Sequence, residues 1–382
     1  MGRARTKKKV ASKATDPPSQ PAANAKGPSI LALLEKAQDL IVQCDYELAE
    51  KFVRRVLEQQ PSNAQATEML GVVQLEQGEM DAAKQTFRSL VPPSAGAPSP
   101  PPPSAYLYLA QLSDDEPRVA LAHYQAAVDI LKTQLKGKER ANQSSEEDEA
   151  EVKGNIVRAL IGQVEIWMDP SYDLCFEPDA EKTCEDLITH ALQIDPDNPE
   201  ALQSLASVRM SQQRPDDARE CLEKVWAVWK DLDPDDPKLP PIPVRLSLVK
   251  LFIELSLFNP ALLVLHGVMS SDDQEVEAWY LEGWCFLLMS EKAQENGGRY
   301  EDLTWQELVQ DSRDCLETCQ VLHRNQEHPD APILEHVKEL IAKLKDLGVS
   351  PSPLQGESEG DWEDVEGGED DDEDEDEDVE MQ

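Results

Sequence analysis

Apolar side chains recur along the chain with the spacing of paired helices, and the pairs themselves repeat. From Ile30 to Asn63, Ala37, Ala49, Val53 and Val56 fall on the facing sides of two short helices, and Pro61 ends the second. A second unit begins at Ala64 and sets Leu70, Gly71, Ala83, Phe87 and Leu90 at matching offsets, so that Ala49 and Ala83, like Val53 and Phe87, stand thirty-four residues apart. Farther on, Cys184, Ile188 and Ala191 recur at the same interval as Ala218, Leu222 and Val225, across the break at Pro196. A helical hairpin of this length cannot bury its apolar face alone, so the period predicts a stack in which each hairpin covers the next. Gly71 and Ala83 let two helices approach closely, and Phe87 is expected to fill the seam between hairpins.

The remaining apolar stretches fill the gaps. Tyr106 to Leu131 reads as a hairpin carrying Ala110, Ala122 and Ala126, entered after the prolines from Pro98 to Pro103. Val152 to Met168 reads as a first helix whose partner, Ala180 to Gln193, follows an interruption from Asp169 to Pro178. Val244 to Met269 supplies another hairpin, with its break expected at Asn259-Pro260. Val276 to Met289 opens the next, completed by Trp305 to His323 after an insertion containing Gly297-Gly298. Ile333 to Leu347 reads as a terminal helix ended by Gly348 and Pro351. The expected fold is all-α, a right-handed superhelical solenoid of about seven hairpins with a capping helix. Its expected bounds are a basic arm at 1–29, the solenoid at 30–347 and an acidic tail at 348–382. Insertions are expected near 91–104, 132–151, 169–179 and 290–303.

The small, small, aromatic and proline positions at Gly71, Ala83, Phe87 and Pro61 resemble the tetratricopeptide repeat. The first-helix tryptophan of that pattern is missing, and Gln74 stands at its tyrosine position. Stacks of this kind bind partners, and the residues support no catalytic reading. No glycine-rich phosphate loop follows a strand, and Cys44-Asp45-Tyr46 reads as an inter-helix turn. His123, His190 and His266 lie in apolar helical segments as packing or surface residues, and no cofactor is implied. Cys315, Cys319 and His323 are spaced four and four, with His328 nearby. Four successive turns of one helix span too much length to converge on a metal, so buried thiols are expected instead. Seven cysteines without a paired framework fit a reducing compartment, and no apolar stretch is long enough to cross a membrane.

Charge narrows the partner. The chain carries a formal net charge of −40, and residues 30–355 alone hold 58 Asp and Glu against 29 Lys and Arg. Such a surface repels phosphate, which argues against direct nucleic-acid binding and favours a basic protein or peptide. Residues Glu357 to Glu380 contain seventeen acids and no base, and read either as a solubilising brush or as a transient shield for a basic client. Arg3, Arg5, Lys7, Lys8, Lys9 and Lys13 form a basic arm that reads as a nuclear-import signal for an import receptor, or as a generic basic terminus. Lys132 to Arg140 and the acidic Glu146 to Glu151 read as a solvated linker, with contact to a basic client as the alternative.

Repeat phase places Gln65, Glu68, Val72, Leu75 and Glu76 on a groove-facing side in one unit, and Glu200, Gln203, Ser207 and Met210 in another. Glu277, Tyr280, Trp284 and Leu287 form a mixed acidic and aromatic stripe near the rear. From these, Glu68, Glu76, Glu200, Glu277, Tyr280 and Trp284 are the candidate client contacts, able to hold basic side chains around an apolar anchor.

The basic start from Gly2 to Lys9, the hairpins from Ile30 to Leu90, the Asp195-Pro-Asp-Asn-Pro199 junction, the Trp279-Tyr-Leu-Glu-Gly-Trp284 segment and the acidic end together resemble a narrower family. They are similar to the fungal dedicated assembly chaperones of the universal large-subunit ribosomal protein four. The resemblance implies capture of that newly made basic protein through its long internal extension and protection from aggregation. It further implies escort from cytoplasm to nucleus for large-subunit assembly. A histone-binding factor or a repeat scaffold of a multiprotein complex is the competing reading that composition permits.

Overall fold

The computed structural model describes residues 28–141, 146–233, 236 and 238–352. The basic arm up to residue 27 and the acidic tail from residue 353 lie outside the described residues. The chain divides into two compact units, Met1–Ser204 and Leu205–Gln382.

The first unit contains α1 (Ile30–Val42), α2 (Tyr46–Gln59), α3 (Ala64–Glu76), α4 (Met80–Ser89), α5 (Pro103–Gln111), α6 (Pro117–Ala141), α7 (Glu146–Met168) and α8 (Ala180–Ile194). α9 (Pro199–Ser211) spans the division. In the second unit follow α10 (Pro215–Trp229), α11 (Ile242–Glu254), α12 (Phe258–Ser271), α13 (Val276–Glu295), α14 (Trp305–Asn325) and α15 (Ala331–Asp346). A two-residue antiparallel pair, β1 (Arg299–Tyr300) with β2 (Leu303–Thr304), links α13 to α14. Taken two by two, α1 to α14 make seven hairpins and α15 follows as the cap. The all-α tetratricopeptide solenoid expected from the 34-residue period is the fold.

Local chemistry sets where the helices start and turn. Ser29, Asp45 and Asn63 accept the backbone N–H groups of Ala32, Leu48 and Ala66 at 3.2, 3.2 and 2.9 Å, and so cap α1, α2 and α3. Within four hairpins the turn is the same device. Cys44, Gly78, Gln213 and Ser256 have φ of 58°, 79°, 58° and 56°. The residue after each donates its N–H back across the turn, to the carbonyls of Leu40, Gln74, Arg209 and Phe252, at 2.8 to 2.9 Å. These are left-handed C-terminal caps that satisfy the last carbonyls of the first helix. Cys44 and Gly78 are themselves one repeat apart.

In the first unit, Leu33, Ala37, Val53, Val56, Ala66, Met69 and Leu70 pack as one cluster, and Ala83, Phe87, Leu90, Ala105 and Leu109 as the next. Phe87 is fully buried and stacks on Tyr108 with ring centroids 4.6 Å apart. A methyl group on Gly71 would lie 2.6 Å from the Phe87 ring, so the glycine is there for close approach. Gly162 does the same for Tyr124, at 2.7 Å. The expected solvated linker at 132–151 is largely helix: α6 runs to Ala141 and α7 starts at Glu146. Leu131 and Leu135 on α6 are buried, as are Val152 and Ile156 on α7, so helical spacing carries the seam into the charged stretch.

In the second unit α13 and α14 approach closely at Gly283, where an added methyl would meet Leu316 at 2.7 Å. There the buried Ser312 hydroxyl donates to the Gly283 carbonyl at 2.7 Å. α14 opens on a reciprocal cap between Thr304 and Glu307. Val337, Leu340 and Leu344 of α15 cover Leu316, Cys319 and Leu322. The hairpin break expected at Asn259-Pro260 falls instead at Leu255–Leu257, because Pro260 sits in the first turn of α12, where its missing N–H breaks no helical bond. Leu287, placed on the groove by phase, is 2% exposed: α13 continues to Glu295, and its far half is enclosed by α14 and α15.

Candidate functional site

Within the first unit, the first helices of successive hairpins carry acids and one tyrosine. Glu68 and Glu76 stand on α3, Tyr108 on α5, Glu151 and Glu165 on α7, and Glu200 at the start of α9. Tyr46 donates its hydroxyl to Glu76 Oε2 at 3.2 Å. The Tyr108 phenol is pushed up, first by burial and then by the charges of Glu68 and Glu76. The same effect joins Glu165 and Glu200: loss of surrounding water and then the Glu200 charge raise the Glu165 carboxyl. The Tyr124 hydroxyl behind them is pushed up to about 12 by burial, Glu165 and Asp114. Glu68 and Tyr108 share a cleft of about 630 Å³ with Glu151, Leu107, Pro102 and Arg158. Arg158 is the one base lining it and hydrogen-bonds Asn155. Crowded carboxylates beside aromatic faces form a field that a lysine or arginine side chain relieves, by ion pairing and by cation–π contact.

Three of the six sequence candidates therefore share this surface: Glu68, Glu76 and Glu200. Glu151, from the acidic stretch that the sequence offers as an alternative client contact, joins them, as do Tyr46, Tyr108 and Glu165, which were not singled out from sequence. The signal was available in the repeat phase, since Tyr108 and Glu165 occupy first helices, but the prolines before α5 and the interruption after α7 hid the register.

The other three candidates lie in the second unit and have partners within it. Glu277 pairs with Lys250 at 2.5 Å. Tyr280 and His336 Nδ1 are 2.8 Å apart, Tyr280 stacks on Trp284, and Trp284 meets the His336 ring edge-on. This aromatic group fastens the cap α15 to α13. Beside it, buried Glu282 joins His266 at 3.0 Å and accepts from the Cys315 thiol at 3.4 Å. The Cys319 thiol donates to the Val276 carbonyl at 3.4 Å, and burial pushes that thiol up to about 12. His323 bonds the Asp330 carbonyl at 2.8 Å. Among the described residues no three potential metal ligands converge, and none of the helices is long and apolar enough to cross a membrane.

The hairpin stack with an acidic, tyrosine-bearing face defines a tetratricopeptide-repeat binding protein, and that family matches residues 34–98 and 180–237. The chain is 32% identical over 363 residues to the probable assembly chaperone of rpl4 from Emericella nidulans, covering 88% of this chain and 89% of that protein. It is 33% identical over 309 residues to the protein of the same description from Schizosaccharomyces pombe, covering 81% and 88%. A solved structure, the assembly chaperone of RpL4 (Acl4), residues 1–338, superposes with a TM-score of 0.61 at 33% identity, over 71% of this chain and all of that one. The chain belongs to the family of assembly chaperones of ribosomal protein L4.

Proposed function

We propose that this chain is a dedicated chaperone of ribosomal protein L4, which captures the newly made protein through its long basic internal extension. The observation that carries this reading beyond family membership is the acidic and aromatic face formed by Glu68, Glu76, Tyr108, Glu151, Glu165 and Glu200. Lysine and arginine side chains of the client neutralise that face, and the tyrosines receive their aliphatic stems. Occupied in this way, the extension is withheld from RNA and from other chains until ribosomal RNA offers better-placed contacts. Binding and release by exchange consume no nucleotide and require no catalytic group. Escort into the nucleus through the basic arm, with an import receptor as partner, completes the proposal; that arm lies outside the described residues. Glu277, Tyr280 and Trp284 enter as a second, weaker client surface, since their own fold already engages them.

The test is fluorescence anisotropy of a labelled L4-extension peptide with the full chain at about 0.15 M salt, where charges interact over roughly 8 Å. Glu68→Lys with Glu76→Lys exchanges two attractions for two repulsions, and about a tenfold or greater loss of affinity is expected. A histone-tail peptide of equal charge should bind less tightly. Equal or tighter histone binding, or unchanged affinity in the double variant, removes this reading.

A further inference from the structure

A second surface of opposite character lies in the second unit. Between α10, α11 and α12 is a pocket of about 280 Å³ walled by Trp226, Trp229, Leu239, Leu263 and Val264, with Arg245 in its lining. Arg245 is 8% exposed, and its Nε has no hydrogen-bond partner. Its guanidinium makes no ion pair among the described residues. Lys230, exposed at the rim, also lines the pocket. The loop leading in carries Asp231, Asp233 and Asp236, yet none of them lines it. A buried, unpaired cation is costly unless a carboxylate reaches it, and here it stands in a chain with twice as many acids as bases. The rim is apolar too, since Leu263 is 58% exposed. The matching ligand has an aromatic or aliphatic anchor flanked by carboxylates.

The chain carries such a segment. Trp362 is flanked by Glu359, Asp361, Glu363 and Asp364, and no other tryptophan, tyrosine or phenylalanine follows Trp305. The last described residues before the tail are held against α14. Ser352 donates its N–H and hydroxyl to Asp314 at 2.8 and 2.6 Å. Cys315, the next residue, bonds Glu282, and Glu282 bonds His266, which lines the pocket. The exit is thus separated from the pocket by the width of α13 and α14, on the order of 20 Å for helices packed 8–10 Å apart. Ten residues from Ser352 to Trp362 reach about 33 Å when extended.

We propose that the Asp361-Trp362-Glu363 segment folds back into this pocket, with Trp362 against Trp226 and Leu263 and its acidic neighbours on Arg245 and Lys230. The rest of the acidic run is thereby anchored to the second unit at a fixed point.

The experiment places a photoreactive phenylalanine analogue at position 362 of the full chain and maps the crosslinks by mass spectrometry, using a mixture of isotopically light and heavy protein. The expected result is crosslinks within one chain to residues 226–232 and 263–267. Leu263→Glu, at an exposed position that tolerates the change, and Arg245→Leu, which removes an unpaired charge, should each lower the yield about tenfold, the scale of one charge-assisted contact. Circular dichroism checks that both variants remain folded. Crosslinks between light and heavy copies, crosslinks elsewhere in the chain, or yields unchanged in the folded Leu263→Glu variant would overturn the proposal.

Discussion

Gly71→Ala sets two effects of opposite sign against each other. Alanine is the better helix former by about 1 kcal/mol, which alone would stabilise α3. Against this, the new methyl would sit 2.6 Å from Cζ and 2.7 Å from Cε1 of Phe87. That ring cannot swing aside, because it is fully buried and stacked on Tyr108. Overpacking of this kind costs ~1–3 kcal/mol, and with the propensity gain subtracted the net expectation is destabilisation by up to ~2 kcal/mol. Gly137→Ala is the internal control: that helical glycine has nothing within 4 Å of the added methyl, and the same exchange should stabilise by ~0.5–1 kcal/mol. Urea unfolding followed by far-ultraviolet circular dichroism reads both. Adding Phe87→Leu should couple favourably with Gly71→Ala by ~1 kcal/mol in a double-mutant cycle, because the smaller side chain makes room. A Gly71→Ala midpoint at or above wild type, or strict additivity in the cycle, would refute the close-approach account of this position.

The remaining expectations are shorter. Thr304→Ala removes the reciprocal cap of α14 and should cost ~1 kcal/mol in the same unfolding assay. Ser256→Gly should stabilise by up to ~1 kcal/mol and raise the urea midpoint, since φ of 56° strains a side chain there and not a glycine. The hydrogen bond that His266 Nε2 donates to buried Glu282 raises the proton affinity of His266, so that pair's stabilisation is complete below the ordinary histidine value of 6.5 and is lost as pH rises through the higher folded value. Urea midpoints of wild type and His266→Gln should therefore converge as pH increases; parallel curves would count against the pair. Under native conditions a thiol reagent should modify exposed Cys44 quickly, while Cys184, Cys221, Cys285, Cys315 and Cys319 react only on unfolding. Mass mapping of the labelled sites decides this.

The fold was legible wherever one side chain answered one geometric need. Ala49, Val53, Ala83 and Phe87 are all fully buried, as a 34-residue stacking period requires. Proline and charge were less faithful guides. Pro260 marks a helix start, because a first-turn residue has no helical N–H bond to lose. The lysine-rich and glutamate-rich stretches around residue 140 continue two helices, because such residues are good helix formers whose charge says nothing against it. Repeat phase sets Glu68, Glu76 and Glu200 on first helices, and the fold brings them to one acidic face of the first unit, whereas Tyr280 and Trp284 read as an open stripe when His336 of α15 stands against them. That contact is set by a helix fifty-six residues away and has no local signature.

The cap has a further consequence for how long such a molecule is. Each hairpin offers its successor an apolar face, so nothing within the repeat itself says when addition should stop. α15 supplies the stop: it spends Val337, Leu340 and Leu344 on the last hairpin and turns Lys338, Glu339 and Lys345 outward. Deprived of it, Leu316, Cys319 and Leu322 would become an adhesive end, open to the same end of another copy. Length in this architecture is thus a property of the terminator and not of the core, and a lineage could add or lose hairpins upstream while keeping the same final helix.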